Sequence, residues 1–140
     1  MANVLHALLK GPAGVTINDY VYRNYAQTGM DDVKREILLS LWKVHILHHA
    51  ASEPIIGQWV LRELRRHGYE VSPGTVYPIL ARMEERGWLR CRVEPDGGLR
   101  AKREYSLTKR GQAVLALLRR QVAELYREVV LGDEEDDEAR

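Results

Sequence analysis

Hydroxyl, small and basic side chains are concentrated between Ser72 and Arg82. Hydroxyl groups such as those of Thr75 and Tyr77 can donate hydrogen bonds to phosphates, and a guanidinium such as that of Arg82 can reach a base edge or a phosphate. A small apolar surface, as at Pro78, can contact a thymine methyl group. The candidate DNA contacts of this segment are Ser72, Gly74, Thr75, Tyr77, Pro78 and Arg82. The alternative is that Ser72 and Thr75 only cap a helix and that Tyr77 only packs.

Three basic residues lie close together in a second segment, after the pair Gly97-Gly98. They are Arg100, Lys102 and Arg103. A charged turn of this kind is commonly only solvated. Because the segment with the hydroxyl groups is its neighbour, we expect these bases to contact phosphates or the minor groove.

His45, His49 and Glu53 are spaced four residues apart, a spacing that can chelate a metal ion from one face of a helix. Pro54 breaks the helix nearby and the stretch is otherwise apolar, so we assign no metal site and interpret His49 as a partly buried core residue. The single cysteine, Cys91, excludes an internal disulfide and cannot by itself build a structural zinc site. The sequence therefore predicts no cofactor.

The composition is that of one domain without catalytic or membrane features. A chain of 140 residues suits one compact domain, and no apolar run approaches the roughly 20 residues needed to span a bilayer. No secretory signal is recognisable, so we expect a cytoplasmic protein. No nucleophile paired with a base, phosphate loop or carboxylate constellation is present in the sequence, so we do not expect an enzyme.

The distribution of charge is more informative than its total. The formal net charge is only +1, but residues 53–110 contain twelve Lys and Arg against eight Asp and Glu. Residues 133–138 are all acidic. A basic middle and an acidic tail can coexist in a DNA-binding protein whose basic surface is masked in the total.

Apolar periodicity predicts a mainly α-helical chain with a small β-hairpin. Residues 1–31 lack a long periodic pattern and are interpreted as an N-terminal arm. A first helix is expected at about 32–51, with apolar residues over most of its circumference, so more than one of its sides must be buried. A second helix is expected from about Ile55 or Gly57 to His67.

A third helix follows after a very short connection and ends at Gly87. Ser72 before Pro73 is typical of an N-cap followed by proline at the first helical position. Thr75 could instead cap a later start, which would place Pro78 in the first turn, where its missing N–H costs nothing. The apolar residues expected to face the core are Val76, Ile79, Leu80 and Met83.

Beyond the third helix the apolar period changes from helical to alternating. This change predicts a β-hairpin with strands at 89–93 and 102–107 and a turn at Asp96-Gly97-Gly98. Thr108 then caps a last helix that extends to about Leu131. Its apolar stripe is too long for the small domain to cover, so we expect it to pair with a second copy. The stripe residues are Val114, Leu118, Val122, Leu125 and Val129.

The order helix, helix, short turn, helix, hairpin is that of a winged helix-turn-helix domain. In such domains the third helix enters the major groove, and the hairpin contacts the backbone or the minor groove. The predicted organisation is an N-terminal arm at 1–31, a winged helix-turn-helix at 32–108, a dimerisation helix at 109–131 and an acidic, disordered tail at 132–140.

The run SPGTVYPIL at 72–80, continued by RMEERGWL at 82–89, closely resembles the recognition-helix motif of PadR-like regulators. The run REYSLTKRG at 103–111 matches the second hallmark of that family, and Pro54 with Gly57 matches the entry to its second helix. The resemblance covers about residues 35–120. Gln58 departs from it, because the family usually has tyrosine there, and the N-terminal arm lies outside it.

This resemblance implies a dimeric transcriptional repressor that binds a palindromic operator on double-stranded DNA and is often released by a small-molecule effector. Trp42, Trp59 and Tyr126 could line an effector pocket or serve equally well as core residues. The alternative is a winged-helix adaptor that contacts other proteins and does not bind specific DNA. An activator is as compatible with the sequence as a repressor.

Overall fold

A continuous helical stretch opens the described part of the chain. The computed structural model describes residues 31–132, and the remainder of the predicted arm and tail lies outside the described residues. Asp31–Val33 and a π-helical segment, Lys34–Leu38, lead directly into helix α1, Leu39–Ala50. The predicted first helix is therefore confirmed. It is buried through Trp42, Ile46, Leu47 and Ala50.

The second helix begins at Gly57, and the alternative start at Ile55 is wrong. Ile55–Ile56 form a short strand, β1, and helix α2 covers Gly57–Arg66. Strand β1 pairs antiparallel with β3, Arg103–Leu107, with Ile55 opposite Tyr105. Two apolar residues carry no alternation by themselves, and their partner strand is remote in sequence, so local pattern could not reveal this strand.

The turn between the second and third helices is fixed by backbone and side-chain hydrogen bonds. Gly68 adopts a left-handed conformation with φ of 88°, and the N–H of Tyr69 donates to the Leu64 carbonyl at 3.1 Å. The Arg65 guanidinium donates through Nε and Nη2 to the Val71 carbonyl, at 3.2 and 3.0 Å. These bonds hold the connection to helix α3, Pro73–Glu85, in one conformation.

A hairpin follows α3 and completes a three-stranded sheet. Strand β2, Leu89–Val93, pairs antiparallel with β3, and the strand order is β1-β3-β2. A short 3₁₀ helix, Gly98–Arg100, lies at the tip. We call β2, β3 and the connecting residues 94–102 the wing. The predicted fold, mainly α-helical with a small β wing, is confirmed.

The last helix, α4, covers Lys109–Leu125 and continues as a π-helical segment, Tyr126–Leu131. The core lies where α1, α2 and α3 meet, and the sheet and the start of α4 close it. Its buried apolar residues are Trp42, Ile46, Leu47, Ala50, Ile55, Val60, Leu61, Leu64, Val71, Val76, Ile79, Leu80, Met83, Leu89, Tyr105 and Leu115. Between residues 31 and 132, no helix combines the length and the apolar character needed to cross a membrane.

Candidate nucleic-acid interface

Helix α3 begins at Pro73, which decides between the two predicted starts. Ser72 is the N-cap residue by its extended backbone, and its carbonyl accepts from the N–H groups of Thr75 and Val76, both at 3.1 Å. Its side chain forms no cap bond, contrary to the expected role, and its Oγ instead lies 3.2 Å from Oγ1 of Thr75. The N-terminal end of α3 therefore carries two hydroxyl groups that are hydrogen-bonded to each other.

Pro78 lies inside α3 and not in its first turn, so the later start capped by Thr75 is wrong. In this position proline supplies no N–H to the carbonyl of Gly74, four residues earlier, and its ring crowds that carbonyl. Gly74 and Pro78 are both exposed. The outward face of the helix is thus small and locally irregular, which permits close approach of another molecule.

The four residues predicted to face the core, Val76, Ile79, Leu80 and Met83, are all buried. Ala81 and Arg82 lie on the opposite, exposed face. Among the described residues, the Arg82 guanidinium takes part in no hydrogen bond or ion pair. A basic group on an exposed helix face is therefore available to an external partner.

Tyr77 is both partly exposed, as a DNA contact requires, and partly packed against the domain. Its side chain is 41% exposed, but its ring also packs over Gly57 at the start of α2. A Cβ atom at position 57 would lie 2.9 Å from Cζ of Tyr77, closer than real contacts allow. The absence of a side chain at Gly57 therefore lets the tyrosine ring lie against α2 while part of it remains on the surface.

The three predicted bases of the wing are exposed, but they are not equivalent. Lys102 Nζ forms an ion pair with Glu104 Oε1 at 2.8 Å, and this hydrogen bond raises the pKa of Lys102 and lowers that of Glu104. Arg103 is the neighbour of Lys102 in sequence, and adjacent residues of a strand point to opposite faces. Arg100 lies in the 3₁₀ helix at the tip.

Sequence reasoning missed two further bases on the wing. Arg90 and Arg92 are exposed on β2, directly opposite Ser106 and Glu104 of β3. The signal was present, because the alternation of the apolar residues Leu89, Cys91 and Val93 places Arg90 and Arg92 on the other face of the strand. Together with Lys102, these arginines give the outer face of the wing an excess of positive charge.

Thr108 joins the end of α3, the wing and α4. Its Oγ1 accepts from the N–H of Gly111 at 2.9 Å, which confirms the predicted cap. The same hydroxyl lies 2.5 Å from the Gly87 carbonyl and 3.1 Å from that of Trp88, either of which can accept its proton. One side chain thus fixes the direction in which α4 leaves the domain.

The apolar stripe of α4 divides into two parts. Val114 and Leu118 are half-buried against the core, whereas Val122, Leu125 and Val129 are exposed. A groove of about 500 Å³ lies between α1 and this part of α4. Its lining includes Leu41, Val44, Trp88, Val114, Leu118, Val122 and Leu125.

The fold brings together a different set of potential metal ligands from the one that the sequence spacing indicated. His45 and His49 do approach each other, but the third member of their cluster is His67, at the end of α2, and not Glu53.

Trp42, considered for an effector pocket, is buried in the core and makes an edge contact with Tyr69 at 5.5 Å between ring centroids. Trp59 makes a similar edge contact with His49 at 4.9 Å.

Known proteins resemble both the sequence and the fold. Transcriptional regulator Rv3488 of Mycobacterium tuberculosis is 47% identical over 98 residues, covering 70% of this chain and 91% of the relative. A solved PadR family regulator from Eggerthella lenta superposes with a TM-score of 0.60 at 24% identity, over 84% of this chain and 99% of that chain. A PadR-like regulator from Bacillus cereus gives 0.58 at 22% identity, over 74% and 99%.

The two structures share the winged-helix architecture with this chain. The family described as the transcriptional regulator PadR-like family matches residues 46–117, which include α2, α3, the wing and the first part of α4. With more than half of the chain matched and a close relative along most of its length, this protein belongs to the PadR-like family of transcriptional regulators.

Proposed function

We propose that the protein is a homodimeric, sequence-specific DNA-binding repressor that acts in the cytoplasm on a palindromic operator. The observation that carries the proposal is the outward face of α3. There the unpaired Arg82 guanidinium lies among small exposed residues, with Thr75 and the partly exposed Tyr77 on the two flanks and the Ser72 hydroxyl at the N-terminal end. Such a helix fits the major groove, with Arg82 as the reader of a base edge and the hydroxyls as phosphate contacts.

The position of the wing supports the same orientation of the domain on DNA. It is tied to the end of α3 through Thr108, so both elements present their exposed faces as one body. Arg100, Lys102 and Arg103 are the proposed backbone or minor-groove contacts of the wing, joined by Arg90 and Arg92. Lys102 is already paired with Glu104, whose negative charge offsets its own, so its contribution to phosphate binding is smaller than its charge alone implies.

A second copy of the chain is the proposed partner of the exposed stripe on α4. No described residue buries the side chains of Val122, Leu125 and Val129. They continue the apolar stripe directly from its half-buried part. A two-fold dimer buries the same surface on both subunits and places two recognition helices about 34 Å apart, one helical turn of DNA. This geometry demands a palindromic site.

A small-molecule effector is part of the proposal. The groove between α1 and α4 has the size of a ligand site, and Lys43, Glu124 and Glu128 supply charged groups at its border. A second subunit on α4 would close this groove from its open side. A ligand there would change the angle between the helices of the dimer and thereby the spacing of the two recognition helices.

Selection of bound duplexes from a random pool, followed by titration at several salt concentrations, tests the proposal. We expect an enriched palindrome bound at least about 10³-fold more tightly than scrambled DNA, with a steep salt dependence of both. Binding without enrichment would contradict sequence specificity, and no binding even at low salt would favour the protein-binding adaptor. In vitro transcription from a promoter that contains the enriched site separates repression from activation.

A further inference from the structure

Three histidines from two helices converge beside the turn that precedes the recognition helix. His45 and His49 lie one turn apart on α1, and His67 follows the last residue of α2. One nitrogen of each imidazole lies within 4.8 Å of those of the other two. The rings of His45 and His67 are 4.9 Å apart between centroids. All three side chains are partly buried, so the fold and not chance mobility brings them together.

A carboxylate adjoins this histidine cluster. Oε1 of Glu63 lies 3.4 Å from Nε2 of His49 and 3.2 Å from Nε2 of His67. Ligands bound at about 2.0–2.1 Å from a tetrahedral ion are themselves about 3.4 Å apart, so these separations suit a shared metal centre. The Arg66 guanidinium donates to both oxygens of this carboxylate, at 2.6 and 3.0 Å, and thereby fixes its orientation.

The chemistry of the cluster suits a metal ion. Imidazole nitrogen and carboxylate oxygen are ligands that zinc accepts, and two histidines separated by four residues on one helix face form a chelating pair. Neutral imidazole is the form that binds metal.

We propose that His45, His49 and His67 bind a divalent transition-metal ion of the zinc class, with Glu63 as the fourth donor. The ion joins α1 to the end of α2, two elements that are otherwise linked here by ring contacts and by hydrogen bonds to Glu63. Because a bound ion requires the folded arrangement of both helices, it stabilises the folded domain, and the stabilisation rises with the logarithm of the free metal concentration above the dissociation constant. The site is separate from the proposed DNA-binding face and does not depend on DNA binding.

Zinc binding to the untagged full chain tests the site directly. After removal of metal with a chelator, Zn²⁺ is titrated in competition with a chromophoric chelator, and we expect one tightly bound zinc per chain. Single replacements His45→Asn, His49→Asn and His67→Asn should each weaken zinc binding by at least about tenfold, because even the loss of an outer-shell partner costs 10–100-fold. Glu63→Gln should also weaken it.

The matched control is His48→Asn, since His48 is on the same helix but exposed and outside the cluster. Its zinc affinity should equal that of the unmodified protein. Cobalt provides a second readout that needs no variant, because tetrahedral Co²⁺ absorbs visible light strongly and octahedral Co²⁺ weakly. Sub-stoichiometric zinc binding, unchanged affinity in the three histidine variants, or an octahedral cobalt spectrum would each overturn the proposal.

Discussion

The ring of Tyr77, on helix α3, occupies the space that a side chain at Gly57 would fill at the start of α2. A Cβ atom at Gly57 would lie 2.9 Å from Cζ and 3.1 Å from Cδ1 of that ring. The position of a candidate DNA contact therefore depends on the absence of a side chain at Gly57.

Replacement of Gly57 by alanine should expel the Tyr77 ring from its place. We expect a loss of about 1 kcal/mol in the free energy of unfolding, the low end of the range for overpacking because the partly exposed ring can move outward, measured by urea denaturation. In a Tyr77→Ala background the space is empty, so the same Gly57→Ala change should cost almost nothing. Equal costs in the two backgrounds would show that the contact does not matter.

Arg82 should contribute specificity rather than general affinity. Loss of a guanidinium that reads a base edge costs roughly 1–3 kcal/mol on the correct site and much less on random DNA. We therefore expect Arg82→Ala to weaken binding to the selected operator far more than binding to scrambled DNA, measured by fluorescence anisotropy. Equal losses on both DNAs would mean that Arg82 contacts only phosphate.

The negative charge of Glu104 should weaken the attraction between the wing and DNA. Because it pairs with Lys102 and lies opposite Arg92, Glu104→Gln frees one base and removes one negative charge from the wing. Binding to random DNA at low salt should become tighter, with a steeper salt dependence. Glu36→Gln, an exposed change of equal charge in the segment before α1, is the control and should have a smaller effect. Equal effects would point to net charge alone.

The dimer should depend on the exposed part of α4. Leu125 is 57% and Val129 70% exposed in the single chain, so lysine at both positions is compatible with its fold. In a dimer interface the same lysines would be buried without partners, at a cost of several kcal/mol, and should produce monomers in sedimentation equilibrium. Leu118 is less suitable for this test because it packs against the core.

Leu117→Lys is the matched control for that experiment. Leu117 is also 57% exposed on α4, but it is not a member of the apolar stripe that continues through Val122, Leu125 and Val129. It should leave the dimer intact. Dissociation by this control, or a stable dimer of the Leu125→Lys and Val129→Lys double variant, would place the interface elsewhere.

Tyr105 should make the domain sensitive to alkali. Its side chain is 3% exposed, and burial raises the pKa of its hydroxyl above the ordinary 10.0, with a further contribution from Cys91. Ionisation is therefore easier in the unfolded state, so stability is complete below pH 10.0 and declines as the pH rises beyond it. Tyr105→Phe cannot ionise and should lose less stability than the unmodified protein between about pH 9 and 11. A constant difference in the free energy of unfolding would contradict this assignment.

Local sequence determined the helices, the wing and the family. The apolar spacing of Val76, Ile79 and Met83 defines the inward face of α3 because a helix repeats every 3.6 residues. The cap at Thr108 is equally local, because an N-cap side chain reaches backbone groups only two or three residues ahead. These features, with the order of the two motifs, were sufficient to predict a winged helix-turn-helix.

Tertiary structure alone decided which distant side chains meet. Ile55 became part of a strand because Tyr105 pairs with it, and His67 replaced Glu53 beside His45 because the end of α2 lies against α1. Sequence spacing constrains contacts within one helix or strand, whereas contacts between elements depend on how their buried faces pack. The proposed metal site and the contact of Tyr77 with Gly57 both arise from that packing, which no local pattern encodes.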